Sequence, residues 1–315
     1  MTRGINQKEN RLGEERYNYQ GYLMRIAEYI DANNMIVEFE DEYKTKVCAS
    51  YRQFDDGGLK NPNYRIDKIS INHQGCPMMI VEYGNANNMV VEFQDEYKGR
   101  VHTNYWSFTK GNVKNPYHPM VLGVGRIGVK YPSKINDKTT KEYQAWKSVV
   151  ARCFDEKYKQ KHPTYKDVTC CKEWLLYENF YEWLHNQENF DKWGDKRWEI
   201  DKDILIKRNK VYSPETCLLV PNNINSLFLN ASNHRGDLPI GVRRSRGRFM
   251  ARCNNPITKI REYLGTFDTP LEAFYVYKKY KEDLIKQIAQ IEYDKGNISK
   301  KCYEAMLNYE VEITD

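Results

Sequence analysis

The first third of the chain repeats itself, and a repeated segment must fold to the same unit twice. Gly21 to Pro62 matches Gly75 to Pro116. The clearest block is Ala32-Asn33-Asn34-Met35-Ile36-Val37-Glu38-Phe39 against Ala86-Asn87-Asn88-Met89-Val90-Val91-Glu92-Phe93. Asp41-Glu42-Tyr43-Lys44 recurs as Asp95-Glu96-Tyr97-Lys98, and Lys60-Asn61-Pro62 as Lys114-Asn115-Pro116. Identity this extensive reads as a duplication. Each copy reads as β. Met24, Ile26 and Glu28 alternate with their neighbours, and Ala32-Asn33-Asn34 supplies turn chemistry. Met35, Val37 and Phe39 then follow at period two. Tyr43, Val47 and Tyr51 continue a third strand. The pattern predicts a small curled sheet or SH3-like barrel over 20–66 and another over 74–120, after a flexible arm over 1–19. The repeated acids Glu38, Asp41, Glu42 and Glu92, Asp95, Glu96 speak against a DNA groove on that face. A structural role or a protein partner is the expectation for the repeats.

A chain of 315 residues holds more than one ordinary small domain. Hydrophobic residues at 40% supply enough material for real cores. No window holds eighteen apolar residues, so no membrane helix is expected. The start, Met1-Thr2-Arg3-Gly4-Ile5-Asn6, lacks the apolar core of a secretory signal. None of the 8 cysteines sits in a Cys-x-x-Cys pair, and they read as reduced thiols of a cytosolic chain. A zinc site from Cys153, Cys170, Cys171 and Cys217 is the alternative to small buried side chains. The net charge of +6 is unevenly spread. Arg235, Arg243, Arg244, Arg246, Arg248, Arg252, Lys259 and Arg261 lie in one stretch with Asp237 as its only acid. That stretch outweighs the net charge of the whole chain. A concentrated basic segment points to a polyanion, most simply nucleic acid.

The middle alternates between helix and strand signals. Thr139-x-x-Glu142 reads as a capping box opening a helix lined by Tyr143, Trp146, Val149, Val150 and Cys153. A second helix is expected from about Lys172 to Asn186, with Trp174, Tyr177, Phe180, Tyr181 and Leu184 on its core face. Trp198 to Leu205 alternates like a strand, and Leu218-Leu219-Val220 forms a second. Pro221 then suits the first position of a helix carrying Ile224, Leu227 and Phe228. Strand, loop, strand, helix is the ββα-metal arrangement.

From Tyr143 to Leu227 the chain resembles a family of phage and bacterial HNH-type proteins related to homing endonucleases. The resemblance rests on Tyr143-x-x-Trp146, Arg152-Cys153, Trp174, Ile200-Asp201-Lys202-Asp203, Tyr212-Ser213-Pro214-Glu215-Thr216-Cys217 and the asparagines Asn222, Asn223 and Asn225. It implies a bacterial host cytoplasm. It also implies a general base and one divalent ion, Mg²⁺ or Mn²⁺. Asp201 and Asn225 are the candidate oxygen ligands. Asp201 and Lys202 occupy the catalytic positions, but Lys202 stands where the family has His, and a normally protonated lysine is a poor base. The expectation is a degenerate core over 136–230, with an active endonuclease as the alternative.

The C-terminal part, 235–315, shows a third pattern. Arg248, Met250 and Arg252 alternate with Phe249, Ala251 and Cys253, Asn254-Asn255-Pro256 turns the chain, and Ile260, Glu262 and Leu264 alternate with Arg261 and Tyr263. Gly265 is read as the end of that strand. Thr269-Pro270-Leu271-Glu272 is a capping box opening a helix through Ala273, Phe274, Tyr277, Leu284 and Ile288. Over about fifty residues this resembles the APETALA/ethylene-response-factor DNA-binding domain. Gly241-Val242-Arg243 matches its opening, Gly247-Arg248-Phe249-Met250-Ala251 its second strand, and Arg261-x-Tyr263-Leu264-Gly265-Thr266-Phe267-Asp268-Thr269 its third. The first hairpin is one residue shorter than in the family, Tyr263 stands for Trp and Arg252 for Glu. The resemblance implies a sheet laid in the major groove of double-stranded DNA. Arg243, Arg248, Arg252 and Arg261 are the expected contacts, with Arg246 and Tyr263 beside them and Arg244 on a phosphate. The whole reads as a modular α+β protein: tandem small β repeats, a ββα (HNH-like) core, and a three-stranded sheet with C-terminal helices.

Overall fold

The computed structural model describes residues 11–192, 198–228, 237–313 and 315. It is a mixed α and β structure of several small sheets and helices, in two compact units, 1–118 and 119–315.

The first unit holds two four-stranded antiparallel sheets. One runs β1 (Glu15–Tyr17), β2 (Leu23–Asp31), β3 (Asn34–Phe39) and β4 (Lys46–Ala49) in sequential order, followed by the short helix α1 (Tyr51–Asp55). The other runs β5 (Ile69–Ile71), β6 (Pro77–Asn85), β7 (Asn88–Phe93) and β8 (Arg100–Thr103), followed by α2 (Tyr105–Thr109). The registers correspond: Met24 faces Phe39 and Val37 faces Val47, as Met78 faces Phe93 and Val91 faces Val101. Both long hairpins carry irregularities at the same places, between Ile26 and Glu28 and between Ile80 and Glu82.

Three features differ from expectation. Glu15–Tyr17 pairs with β2 rather than lying in an arm, and Ile69–Ile71 joins the other sheet ahead of the expected start at 74. Residues 1–10 of the expected arm lie outside the described residues. Each sheet therefore has four strands rather than three. Tyr51 is helical rather than in a strand, because the Ser50 side chain and Gln53 form a capping box that turns the backbone.

Buried asparagines close each sheet. Asn18 Oδ1 accepts from the N–H groups of Gln20 (3.0 Å) and Tyr22 (2.9 Å), and its Nδ2 donates to the Leu59 carbonyl (2.9 Å). Gln20 Oε1 accepts from Asn61 N–H (2.9 Å), and Asn61 Nδ2 donates to Asp41 Oδ2 (2.7 Å). The same bonds recur around Asn72, Gln74, Asn115 and Asp95. The shared pattern thus begins at Asn18-x-Gln20, ahead of the glycine. These polar groups sit in the interior but are satisfied, and they fix where the chain's closing segment docks.

The second unit opens with a two-stranded ribbon, β9 (Lys134–Ile135) and β10 (Lys138–Thr139), then α3 (Lys141–Phe154) and α4 (Glu156–Lys161). Thr139 is taken by the ribbon, so the cap of α3 is Thr140, whose side chain accepts from Tyr143 N–H. β11 (Thr169–Cys170) follows, then one turn of 3₁₀ helix at Glu173–Leu175 and α5 (Tyr177–His185). The single helix expected over 172–186 is broken because Leu176 is extended. Trp146, Trp174, Tyr177, Phe180 and Leu184 pack as an aromatic core, with Trp146 Nε1 donating to the Trp174 carbonyl at 2.7 Å.

β12 (Trp198–Asp201), β13 (Val211–Tyr212) and β14 (Leu218–Pro221) come next, then α6 (Asn222–Asn225), continued as a 3₁₀ turn over Ser226–Phe228. β12 pairs antiparallel with β14, while β13 pairs parallel with β11. β12 stops at Asp201 rather than reaching Leu205, and Pro221 ends β14 instead of opening the helix. The last part is a three-stranded antiparallel sheet, β15 (Val242–Ser245), β16 (Arg248–Asn255) and β17 (Ile260–Phe267), with α7 (Pro270–Asp294) and α8 (Lys300–Leu307). β17 runs through Gly265 to Phe267, because Gly265 still pairs with Ala251.

Replacing Asn115 by Ala removes the donor to Asp95 inside a buried network. It should destabilise the first unit by about 1–3 kcal/mol, the cost of a buried polar group left unpaired. Urea unfolding of the full chain measures this, and an unchanged midpoint would contradict the structural role of the network.

Candidate nucleic-acid interface

The three-stranded sheet has one covered face and one open face. On β16, Ala251 and Cys253 are buried together with Val242 of β15 and with Ala273, Phe274, Tyr277, Leu284, Ile285 and Ile288 of α7. Side chains alternate along a strand, so the residues between them point the other way. Register then decides each neighbour. Arg243 lies opposite Met250 and Ser245 opposite Arg248. On the other side Met250 faces Thr266, Arg252 faces Tyr263 and Asn254 faces Arg261, past a bulge between Ala251 and Arg252. Arg243, Arg248, Arg252, Arg261 and Tyr263 therefore share the open face.

The other two expected contacts do not join them. Arg244 lies opposite Phe249 on the covered side, at the sheet edge, with its guanidinium 5.1 Å from the Phe249 ring centre. Arg246 sits with Gly247 in the two-residue turn between β15 and β16, and both have positive φ, 48° and 80°. That is the backbone of the twisted hairpin turns that favour glycine at the second position. Arg235 lies outside the described residues. Met250, Asn254 and Thr266 also belong to the open face, and alternation alone, once the register is known, would have found them.

Arg243 and Arg261 are exposed. Arg248 Nε contacts Asp268 Oδ1 at 2.8 Å, an exposed pair of small worth. Tyr263 is exposed, and its hydroxyl shares a hydrogen bond with Thr266 Oγ1 at 2.9 Å. Arg252 is half-buried. Behind the sheet, Gly241 has φ +77°, and a Cβ there would come within 2.1 Å of the Tyr277 ring, so the opening glycine is where strand and helix touch.

The β12–β14 hairpin gives Asp201 and Lys202 structural work. Asp201 Oδ1 accepts from the N–H groups of Asp203 (2.8 Å) and Ile204 (2.7 Å), which turns the chain out of β12. Lys202 Nζ donates to Asp203 Oδ2 (2.6 Å) and to the Asn209 carbonyl (2.7 Å), closing the loop that follows. Burial raises the Asp201 carboxyl above its ordinary value of 3.8, against the two backbone N–H bonds that lower it. Asn225 is half-buried on α6. Among the described residues no group of three or more His, Cys, Asp or Glu side chains is placed to hold a metal ion, the four cysteines named above included. No described helix is long and apolar enough to cross a membrane.

A stretch of 50 residues is 48% identical to an ethylene-responsive transcription factor of Arabidopsis thaliana. The match spans 15% of this chain and 17% of that protein, so each has most of its length outside it. No family model matches the chain. No solved structure matches it either.

Asp201 gives a pH signature. Its folded pKa lies above the unfolded value, so the folded state holds the proton more tightly. The associated stability is present below pH 3.8 and is lost as pH rises through the folded value. Asp201→Asn keeps an acceptor for both N–H groups and removes the titration. Its stability should therefore gain on the wild type as pH rises above 3.8, in denaturant unfolding measured across the acid range. Parallel pH profiles for the two proteins would contradict the assignment.

Proposed function

We propose that the chain binds double-stranded DNA through the open face of the β15–β16–β17 sheet and reads sequence there. The observation that carries this is the placement of Arg243, Arg248, Arg252, Arg261 and Tyr263 on the one face that α7 leaves uncovered. Guanidinium groups spaced along adjacent strands suit phosphate oxygens and the paired acceptors of guanine in the major groove. The matched relative carries the name of a transcription factor, and the proposal takes that activity to this sheet alone. The resemblance to the APETALA/ethylene-response-factor domain supports the same reading.

We further propose that the β12–β14–α6 stretch is a non-cutting scaffold, descended from an HNH-type core of a phage or mobile element. The antiparallel pair followed by a helix supports the descent. The use of Asp201 as a turn cap and of Lys202 as a loop clamp supports the loss of cutting. An active form would set one Mg²⁺ or Mn²⁺ on Asp201 and Asn225. For the first unit we propose two copies of a duplicated module with a structural or protein-contact role. The like registers of its two sheets support the duplication. Its acids are engaged locally, Glu38 with Lys46 at 3.3 Å and Glu92 with Arg100 at 3.0 Å, which does not favour a nucleic-acid face.

The test is duplex affinity of the full chain against salt. Log K should fall with log salt at about −0.9 per phosphate neutralised. Arg243→Ala with Arg261→Ala should cost about 1–3 kcal/mol for each lost base contact, and relax sequence preference. Affinity that survives the double change would remove the sheet from the interface. Incubating long duplex DNA with Mg²⁺ or Mn²⁺ should give no nicking; cleavage abolished by Asp201→Ala would instead establish a nuclease.

A further inference from the structure

A groove of about 1110 Å³ wraps the edge of the sheet where β15 is shorter than β16. Arg243, Arg252 and Arg261 reach it from the open face, Lys259 from the turn between β16 and β17, and Lys281 from α7 behind the sheet. Among the described residues lining it, Asp237 is the one carboxylate. The groove is thus basic from both sides of the sheet. Two of its cations are poorly served by the protein. Arg252 Nε is buried and has no hydrogen-bond partner. Burial pushes the Lys281 ammonium below its ordinary value, against a smaller opposing pull from Cys253. An unpaired buried cation or donor is costly. Both residues line the groove, and phosphate oxygens suit a guanidinium N–H and an ammonium alike.

We propose that this groove seats a backbone phosphate of the duplex held on the open face, with Arg252 and Lys281 as its ligands and Lys259 at its rim. The proposal rests on the DNA-binding reading above and adds to it a contact from α7, the helix that covers the other face of the sheet. A phosphate seated there fixes how far the strand edge slides along the groove of the DNA. It carries no sequence information itself.

The experiment compares wild type and Lys281→Met as full chains, measuring duplex affinity against salt on a preferred and an unrelated sequence. Methionine keeps an apolar stem beside Cys253 and removes the charge. The variant's salt slope should be shallower by about 0.9, one phosphate contact. Affinity at low salt should fall by the same factor on both sequences. Lys259→Asn is the second variant, since Lys259 is exposed with φ +60°, a backbone that Asn tolerates. It should shift the slope in the same direction if Lys281→Met unfolds, as a thermal melt would reveal. Tight duplex binding with an unchanged slope in the folded variants overturns the groove assignment and leaves the sheet reading intact. A loss seen on one sequence only makes Lys281 a base contact and overturns it as well. A loss seen with 5′-phosphorylated ends but not with 5′-hydroxyl ends assigns the groove to a terminal monoester, against the proposal. No duplex binding by the wild type sinks the sheet reading and the groove together.

Discussion

Everything proposed for the C-terminal part depends on the packing of α7 against one face of a three-stranded sheet. The helix is long, Pro270–Asp294, and buries Ala273, Phe274, Tyr277, Leu284, Ile285 and Ile288 with Val242, Ala251 and Cys253. Once that face is apolar, alternation leaves no choice for the residues between. A guanidinium turned toward α7 would lose its hydration without a partner, at a cost larger than any surface contact returns. Arg243, Arg248, Arg252 and Arg261 are therefore turned to the open side by the core, while Arg244 stays on the covered side only at its exposed edge. Gly241 shows how tight the packing is, since the strand approaches the Tyr277 ring too closely for any other residue. The positive face is a by-product of hydrophobic order.

Carboxylates at least partly withdrawn from solvent are used in a related way elsewhere. Asp201 ends β12 by accepting two backbone N–H bonds. Asp41 pays for burial, and bonds from Asn61 and Thr45 still hold its carboxyl below its ordinary value. Glu178 accepts from the N–H groups of Val129 and Lys130, both at 2.7 Å. In each case the acid organises a bend that side-chain packing could not. An aspartate at the end of a strand has oxygens suited to an ion, but the same oxygens satisfy the first free N–H groups of the following loop. At Asp201 the loop takes Oδ1.

The sequence displayed its periodic elements well and its boundaries poorly, for physical reasons. Period-two patterns around Met35, Val37 and Phe39, and around Phe249, Ala251 and Cys253, mark strands because one face of each sheet is buried. The Thr269 capping box marked α7 because both of its hydrogen bonds are local. The strands Glu15–Tyr17 and Ile69–Ile71 were not legible: they are short edge strands, and their side chains are mostly exposed. The Asn18-x-Gln20 network escaped notice because its partners lie far along the chain, at Leu59 and Asn61. At the candidate interface, Arg243, Arg248, Arg252, Arg261 and Tyr263 could be put on one face by alternation. Arg244, the neighbour of Arg243, falls on the other face by the same alternation, opposite Phe249. The part played by Lys281 was invisible, because no local pattern tells which helix lysine reaches past a sheet edge.

The hairpin and the sheet are not independent parts. The expected boundary between 136–230 and 235–315 runs through one hydrophobic cluster. Ile204, Leu218, Val220 and Ile224 of the hairpin region are buried with Ala251, Leu284, Ile288, Cys302 and Met306. Polar bonds reinforce the join: Asn189 Nδ2 donates to the carbonyls of Leu219 and Asn297, and Lys207 Nζ reaches Asp315 Oδ2 at 2.7 Å. Apolar area shared this way stabilises both partners, and neither keeps its full core alone. A ββα stretch with no chemistry of its own would still be retained, because its strands supply one wall of the core against which the sheet is held. The bend capped by Asp201 leads directly into Ile204, a member of that wall. The carboxylate thus caps the bend that brings Ile204 into the core shared by the hairpin, the sheet and the C-terminal helices.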